Sequence, residues 1–397
     1  MDLTSYTEQV LPVDHTVATL VARVLDPNLG GPCVAAVRGD EVVDLTEVEP
    51  TVADLLERED VVQIVRDAAG SRTWPLAQVL EATLTEDSLR PHFLAPPDLQ
   101  VLKAAGVTFV RSMLERVIEE RAAGVPARAD QIRAKLNDVV GGAISQIKPG
   151  SPEAARVKEL LINEGVWSQY LEVGIGPDPE VFTKAPVLSA VGVGAQIGVL
   201  ARSSWNNPEP EMVLAITSGG TPVGATLGND VNLRDFEGRS ALLLPEAKDN
   251  NASCALGPFI RLFDESFTLD DARQVDVRLQ IAGLDGFVLE GTNSVGEISR
   301  DPLDLVAHTH GSHHQYPDGF LLFTGTMFTP TQDRDGPGQG FTHKPGDVVS
   351  ISAPQLGTLV NTVTSAEEAP DWVFGIRALM RYLANRGVLR SATQPVT

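Results

Sequence analysis

Short apolar runs, broken by glycine and proline, dominate this 397-residue chain. That pattern predicts more strand and turn than helix. Residues 16–50 alternate β-prone runs (TVATLVARVL, CVAAVRG, EVVDL) with glycine and proline breaks. A helix is predicted next over TVADLLEREDVVQIVRDAAG, with Thr51 as N-cap, helical apolar spacing and a closing glycine. The Pro-rich stretch LRPHFLAPPDLQ then marks a domain boundary, giving a small N-terminal domain over 1–95 and a larger one over 96–397. Helical periodicity is strongest from Thr108 to about Gly142, where Phe109, Met113, Val117 and Ile118 share a face. PEAARVKELLINEG, opening after Ser151, predicts a second helix, so a helical segment covers about 108–165, and both helices are read as ending on glycine. Short strands return from Glu172, and DWVFGIRALMRYLANRG predicts a closing helix.

Composition narrows the function. Apolar residues make up 43% and charged residues 21%, as in an ordinary globular protein rather than a disordered one. With 31 Lys+Arg against 53 Asp+Glu, the formal charge is −22. That balance argues against nucleic acid or an anionic membrane as partner, since both need clustered cations. It leaves room for a small anionic substrate held by local groups or by a metal. Two cysteines, Cys33 and Cys254, make no disulfide framework and fit a reducing cytosol. No secretory signal is visible at the N-terminus, and no run of 18 apolar residues occurs, so a cytoplasmic protein is expected.

The segment from Asn206 to Pro258 carries the chemistry. Glu209 and Glu211 are two apart and lead into the strand-like MVLAIT, so an extended backbone puts both carboxylates on one face. Ser218–Thr221 supplies a Gly-Gly turn, and PVGATLGND returns as a second strand. Such a hairpin brings Asp230 to the same open end. Three acids at one point repel and raise one another's pKa unless a cation sits among them. Hard oxygen donors suit Mg²⁺, Mn²⁺ or Ca²⁺ rather than Zn²⁺. A solvated acidic strand end is the bland alternative. Lys248 follows 18 residues after Asp230; beside a metal its ammonium would be disfavoured and its pKa would fall, whereas a lone lysine is otherwise an exposed one.

At these residues the chain resembles the fumarylacetoacetate hydrolase superfamily. The resemblance rests on Glu-Pro-Glu at 209–211, then GNDVNLRDFEG, AKDNNASCALGPF and the Thr-Gly-Thr of FLLFTGTMF, and covers roughly 95–395. LKAAGVTFVRSMLERVIEER, GVWSQYLEVGIGPDPEVFTK and FEGRSALLLPEAKDNNASCALGPF are similar to its 2-keto-3-deoxy-pentonate dehydratase branch. The resemblance implies an α+β fold, with a mostly β, mixed β-sandwich roll catalytic domain and a small N-terminal α+β domain. It implies a homodimer or homotetramer, with Mg²⁺ (or Mn²⁺) held by Glu209, Glu211 and Asp230. It places the family's active-site lysine at Lys248, its arginine at Arg234, the threonine that holds the substrate carboxylate at Thr326, and a further lysine at Lys184, where Ala185 replaces the family's proline. Two departures matter. Hydrolytic members carry a water-activating histidine where this chain has Ser112, although the glutamate three residues on is kept as Glu115. They also often carry glutamine where this chain has Glu237.

The activity implied is a metal-dependent hydro-lyase that converts 2-keto-3-deoxy-D-xylonate (identical to 2-keto-3-deoxy-D-arabinonate) to 2,5-dioxopentanoate in pentose catabolism. Loss of water removes a proton from C3 and hydroxide from C4, so a base and an acid are needed. Lys248 is the expected base and Glu237 or Glu115 the acid, with the reverse assignment open; a Schiff base on Lys248 is redundant beside a metal chelate. Alternatives are a C–C hydrolase or decarboxylase of acylpyruvate or oxaloacetate-type substrates, and a non-catalytic ligand-binding protein. Elsewhere, His308, His310, His313 and His314 read as a surface loop, Cys254 as a small buried hydrophobe, VGVGAQIG as no dinucleotide motif, and the stretch around Asp333–Asp335 as a flexible loop.

Overall fold

The computed structural model describes residues 3–123, 125–129, 132, 147–163, 165, 167–327 and 330–389. Residues 133–142 of the predicted helical stretch fall outside these. The strands in chain order are β1 (Leu20–Asp26), β2 (Gly31–Arg38), β3 (Glu41–Asp44), β4 (Thr73–Pro75), β5 (His92–Leu94), β6 (Val101–Gly106), β7 (Glu180–Ala185), β8 (Gln196–Val199) and β9 (Asn206–Asn207). They continue with β10 (Pro210–Ile216), β11 (Pro222–Asp230), β12 (Asn232–Leu233), β13 (Cys254–Leu262), β14 (Asp276–Ala282), β15 (Val288–Ser294), β16 (Phe320–Phe323), β17 (Val348–Ala353) and β18 (Gly357–Ser365).

One mixed sheet runs β4-β3-β2-β1-β13-β11-β10-β16-β6-β7, with β5 beside β1; a second runs β15-β14-β17-β18-β8. Most neighbours are antiparallel, but β6 joins β16 and β8 joins β18 in parallel. Mixed sheets with packed helices make up the α+β architecture that the resemblance implies. Period-two alternation sorts the side chains of β10. Met212, Leu214 and Ile216 enter the larger core, shared with Leu279, Ile351 and Leu359 of the second sheet. Val213 and Ala215 face the other way, against a core that includes Leu55, Leu56 and Ile64 of the N-terminal helices.

The first 95 residues build onto this large sheet, because β1 pairs with β13 in antiparallel register, Leu20 opposite Arg261 and Val21 opposite Ile260. The Pro-rich turn is tied down from both sides. Buried Arg23 donates to the carbonyls of Ala95 and Pro97 at 3.1 and 2.6 Å. Asp98 accepts the Val52 and Ala53 N–H groups at the start of a helix.

Thr51 caps the helix Val52–Leu56 as expected, accepting from the Asp54 N–H. The single helix predicted over this region is two, however, the second being Val61–Asp67. Residues 57–60, Glu-Arg-Glu-Asp, are exposed and bring no apolar group to the core, so packing does not carry the helix through them. The Val110–Ala122 helix is present, but the residue in left-handed conformation at its end is Ala123. The Pro152–Asn163 helix follows Ser151, and the closing helix Ile376–Arg386 begins later than predicted and ends at left-handed Gly387. Val107, Met113, Val117, Ile118, Leu161 and Leu171 form a separate apolar cluster, which gives the helical segment a small core of its own. Among the described residues, no helix is long and apolar enough to cross a membrane.

The loop around Asp333–Asp335 differs from its expected flexibility. Arg334 is 1% exposed at its side chain and bridges Asp347 at 2.6 Å and Asp285 at 2.9 Å. Asp333 accepts the N–H groups of Gly338 and Gly340. The VGVGAQIG stretch leads into β8 rather than into a helix, so it forms no dinucleotide turn.

Gly228, opposite Glu211 on the hairpin, has no room for a side chain: a Cβ there would lie 2.3 Å from Phe323 Cε1 and 2.7 Å from Val213 Cγ2. Gly228→Ala is expected to destabilise the protein by about 1–3 kcal/mol through overpacking. A urea midpoint equal to that of the wild type would contradict this.

Candidate active site

The β10–β11 hairpin closes through the Gly-Gly turn, Thr217 N–H bonding to the Thr221 carbonyl and Gly220 N–H to that of Thr217. Its register places Pro210 opposite Asn229, and at the open end Asp230 N–H reaches the Glu209 carbonyl at 3.0 Å. Cross-strand partners share a face. Glu209, Glu211 and Asp230 therefore converge, each buried, with one carboxylate oxygen from each within 4.8 Å of the others. This is the only such group of possible metal ligands among the described residues. The histidine tract does not converge: His314 stacks on Tyr316, His310 on Phe320, and the His313 ring meets the His308 carbonyl.

Three buried carboxylates of purely oxygen character fit a hard divalent cation. Their electrostatics show the same demand. Burial, Asp230 and Glu209 together push the Glu211 carboxyl well above its ordinary pKa. Burial acts on Asp230 in the same direction but is outweighed by Lys184 and Lys248, which hold its pKa low.

Lys248 ends the short helix Leu244–Lys248, and its ammonium lies 2.5 Å from Glu209 Oε2 and 2.9 Å from Asp230 Oδ2. Burial alone would lower its pKa, but Asp230 and Glu209 raise it above the usual lysine value. The drop in pKa expected beside a metal is therefore not a property of the lysine and acids alone. Lys184 lies behind the triad: fully buried, it pairs with Asp230 Oδ1 at 2.9 Å and donates to the carbonyls of Val231 and Lys248.

Period two on β7 places Glu180 and Phe182 on the same face as Lys184, and both line the pocket over the triad. Gly106, opposite Glu180 on β6, makes room for this carboxyl, since a Cβ there would lie 2.0 Å from Glu180 Oε2. Burial and then the nearby Glu237 push the Glu180 pKa up to about 7.

The helix Val110–Ala122 brings Ser112 and Arg116, one turn apart, to the same pocket. Ser112 Oγ donates to the Phe109 carbonyl at 2.8 Å. Arg116 contacts Glu209 and lies 2.7 Å from both Glu119 and Glu237. Glu237 and Thr326 complete the polar wall. The Thr-Gly-Thr turn contributes Gly325, whose N–H donates to Glu211 Oε2 at 2.7 Å. With φ at +101° and Thr108 Oγ1 1.9 Å from where a Cβ would be, only glycine fits this position.

Besides Lys184, two of the expected residues stand back from the pocket. Arg234 pairs with Glu119 at 3.0 Å, donates to the Pro330 carbonyl at 2.8 Å and lies over the Trp205 ring. Glu115 is half-buried and acts on Arg234 electrostatically; neither lines the pocket. Conversely, Arg116, Glu119 and Glu180 were not singled out from the sequence. The available signals were the helical spacing Ser112–Arg116–Glu119 and the alternation Glu180–Phe182–Lys184. Cys254 is buried beside this site, its thiol pushed up to about 12 by burial, as suits a small hydrophobe.

The fumarylacetoacetate (FAA) hydrolase C-terminal family model matches residues 174–364. A protein of Haloferax volcanii named as a probable 2-keto-3-deoxyxylonate dehydratase is 30% identical over 262 residues, 66% of this chain and 82% of that protein. The 2-dehydro-3-deoxy-D-arabinonate dehydratase of Saccharolobus solfataricus is 32% identical over 185 residues, 47% of this chain and 58% of that protein. Among solved structures, 2-keto-3-deoxy-D-arabinonate dehydratase complexed with magnesium and 2,5-dioxopentanoate superposes with a TM-score of 0.62 at 22% identity, covering 87% of this chain and 99% of the other; at that identity it supports the fold. The chain belongs to the fumarylacetoacetate hydrolase family.

Lys184→Met removes a cation from a buried pair and leaves Asp230 under-compensated. Breaking such a pair costs about 3–5 kcal/mol. A corresponding loss of stability is expected in chemical denaturation, and a variant as stable as the wild type would show that Lys184 is not needed to hold Asp230.

Proposed function

We propose that this protein is a divalent-metal-dependent dehydratase of 2-keto-3-deoxy-pentonates, producing 2,5-dioxopentanoate from 2-keto-3-deoxy-D-xylonate (2-keto-3-deoxy-D-arabinonate). The observation that carries the reading is the pairing of a buried three-carboxylate centre with Glu180, a carboxyl able to hold a proton near neutral pH, in one pocket. The two dehydratase relatives, and the magnesium and 2,5-dioxopentanoate named with the similar structure, support it. Ser112 in place of a water-activating histidine disfavours hydrolysis of a C–C bond.

Glu209, Glu211 and Asp230 would hold Mg²⁺ or Mn²⁺. The ion would supply Lewis-acid polarisation of the 2-keto group, which makes the C3 proton acidic. The remaining work falls to side chains of the chain itself. Hydroxide is a poor leaving group, so the C4 oxygen needs a proton. Glu180 suits that role better than Glu237, whose carboxylate is committed to Arg116. Lys248 is the candidate base at C3. Held between two carboxylates, it releases its proton more readily when another positive charge shares them. Thr326, beside the Gly325 turn, would orient the substrate carboxylate, while Lys184 holds Asp230 and Arg234 holds Glu119.

Two experiments test the reading. Purified protein with 2-keto-3-deoxy-D-xylonate is expected to form 2,5-dioxopentanoate with Mg²⁺ and none with EDTA; cleavage of acylpyruvates instead would move the assignment to C–C hydrolysis. Because Glu180 must be protonated to act as acid, kcat is expected to fall as pH rises through about 7. Glu180→Gln is expected to lower kcat by about 10²–10⁴-fold and remove that basic limb; an unaltered profile in the variant would place the acid elsewhere. A cytoplasmic homodimer or homotetramer completes the proposal, and a monomeric mass by light scattering would count against the oligomer.

A further inference from the structure

Arg116 is the one arginine that lines the pocket among the described residues, and its side chain is only 7% exposed. It donates through Nη2 to Glu209 Oε1, while Lys248 takes Oε2 of the same carboxylate at 2.5 Å. Both oxygens of this candidate metal ligand are thus engaged by cations of the protein itself. The two cations differ in what else they hold. Lys248 has Asp230, another member of the triad, as its second partner. Arg116 has Glu119 and Glu237, both at 2.7 Å through Nη1 and both outside the triad.

We propose that Arg116 is a displaceable counter-cation of the metal centre: it occupies Glu209 until a divalent ion claims that carboxylate, then yields it while remaining on Glu237 and Glu119. The inference rests on the cation assigned above and adds how the site accepts it. A guanidinium and a metal on one carboxylate repel each other, so binding of the ion weakens the hold of Arg116 on Glu209. Arg116 can release Glu209 without losing its other ion pairs, and its fork geometry is suited to holding several carboxylates in turn. Once released, Nη2 remains at the wall of the pocket that an anionic keto acid would enter. Cation and substrate binding are then coupled through one side chain, and the coupling is reciprocal.

The test is Mn²⁺ binding without substrate, followed by the electron paramagnetic resonance signal of the free ion. Arg116→Met is expected to bind Mn²⁺ about tenfold more tightly than the wild type, within the range of typical coupling. Arg116→Lys, whose single ammonium does not span Glu209 and Glu237 together, is expected to fall between them, and it decides the matter should the methionine variant not fold. Lys103→Met separates contact from bulk charge, because Lys103 donates to Thr183 Oγ1 and shares no partner with Arg116 or the triad; its affinity is expected to stay within about twofold of the wild type. Unchanged or weaker binding by both Arg116 variants would overturn the proposal. Equal tightening in Lys103→Met would overturn it too, since loss of positive charge alone would then account for the effect. Absence of Mn²⁺ binding in the wild type would instead remove the cation assignment itself.

Discussion

Carboxylates do not gather out of water unless positive charge gathers with them, and most of this site is the consequence. Glu209, Glu211 and Asp230 are brought together by a hairpin whose register leaves them no other place to go. Lys184 must therefore come from the edge strand β7, Lys248 from the end of a short helix, and Arg116 from the helical segment. Each of these is buried, so each depends on apolar packing around it. The small core formed by Met113, Val117, Ile118 and Leu171 keeps the Arg116-bearing helix in place. Ion pairing is then the reason the helical segment and the sheets meet where they do, and apolar burial is what makes the meeting stable.

The same charges separate this site from a hydrolytic one. Ser112 offers a hydroxyl already bonded to the Phe109 carbonyl, which makes it a poor activator of water. The carboxyls proposed to handle protons lie on β7 and after β12, where Glu237 adds to the burial that raises the Glu180 pKa. Burial and like charge push one carboxyl toward neutrality while Arg116 engages the other, a standard route to one acid and one carboxylate in one pocket.

Local rules made the hairpin readable. A Gly-Gly turn, flanking β-prone runs and two-residue spacing of acids suffice to predict that Glu209, Glu211 and Asp230 converge. The motif resemblance added Lys184 and Thr326 and gave Lys248, already noted beside the acids, a place at the site; the fold brings all three to or beside that point. Arg116 and Glu180 escaped notice because their meaning depends on which face of a helix or edge strand meets the hairpin, and that is decided by contacts far away in sequence. Arg334 shows the same limit. Its loop looks flexible by composition, but its partners Asp285 and Asp347 lie on other segments. The break at residues 57–60 is a subtler case, where local helix formers had no core to face.

The pairing of β1 with β13 has a meaning beyond architecture. All nine residues of β13 are buried, and β11 occupies its other side. The N-terminal strands therefore act as a seal over the Ile260–Arg261 end of β13: without them, peptide groups of a buried strand would be open to any passing chain, an invitation to self-association. Shielding that edge links the solubility of the protein to the segment most remote in sequence from its chemistry.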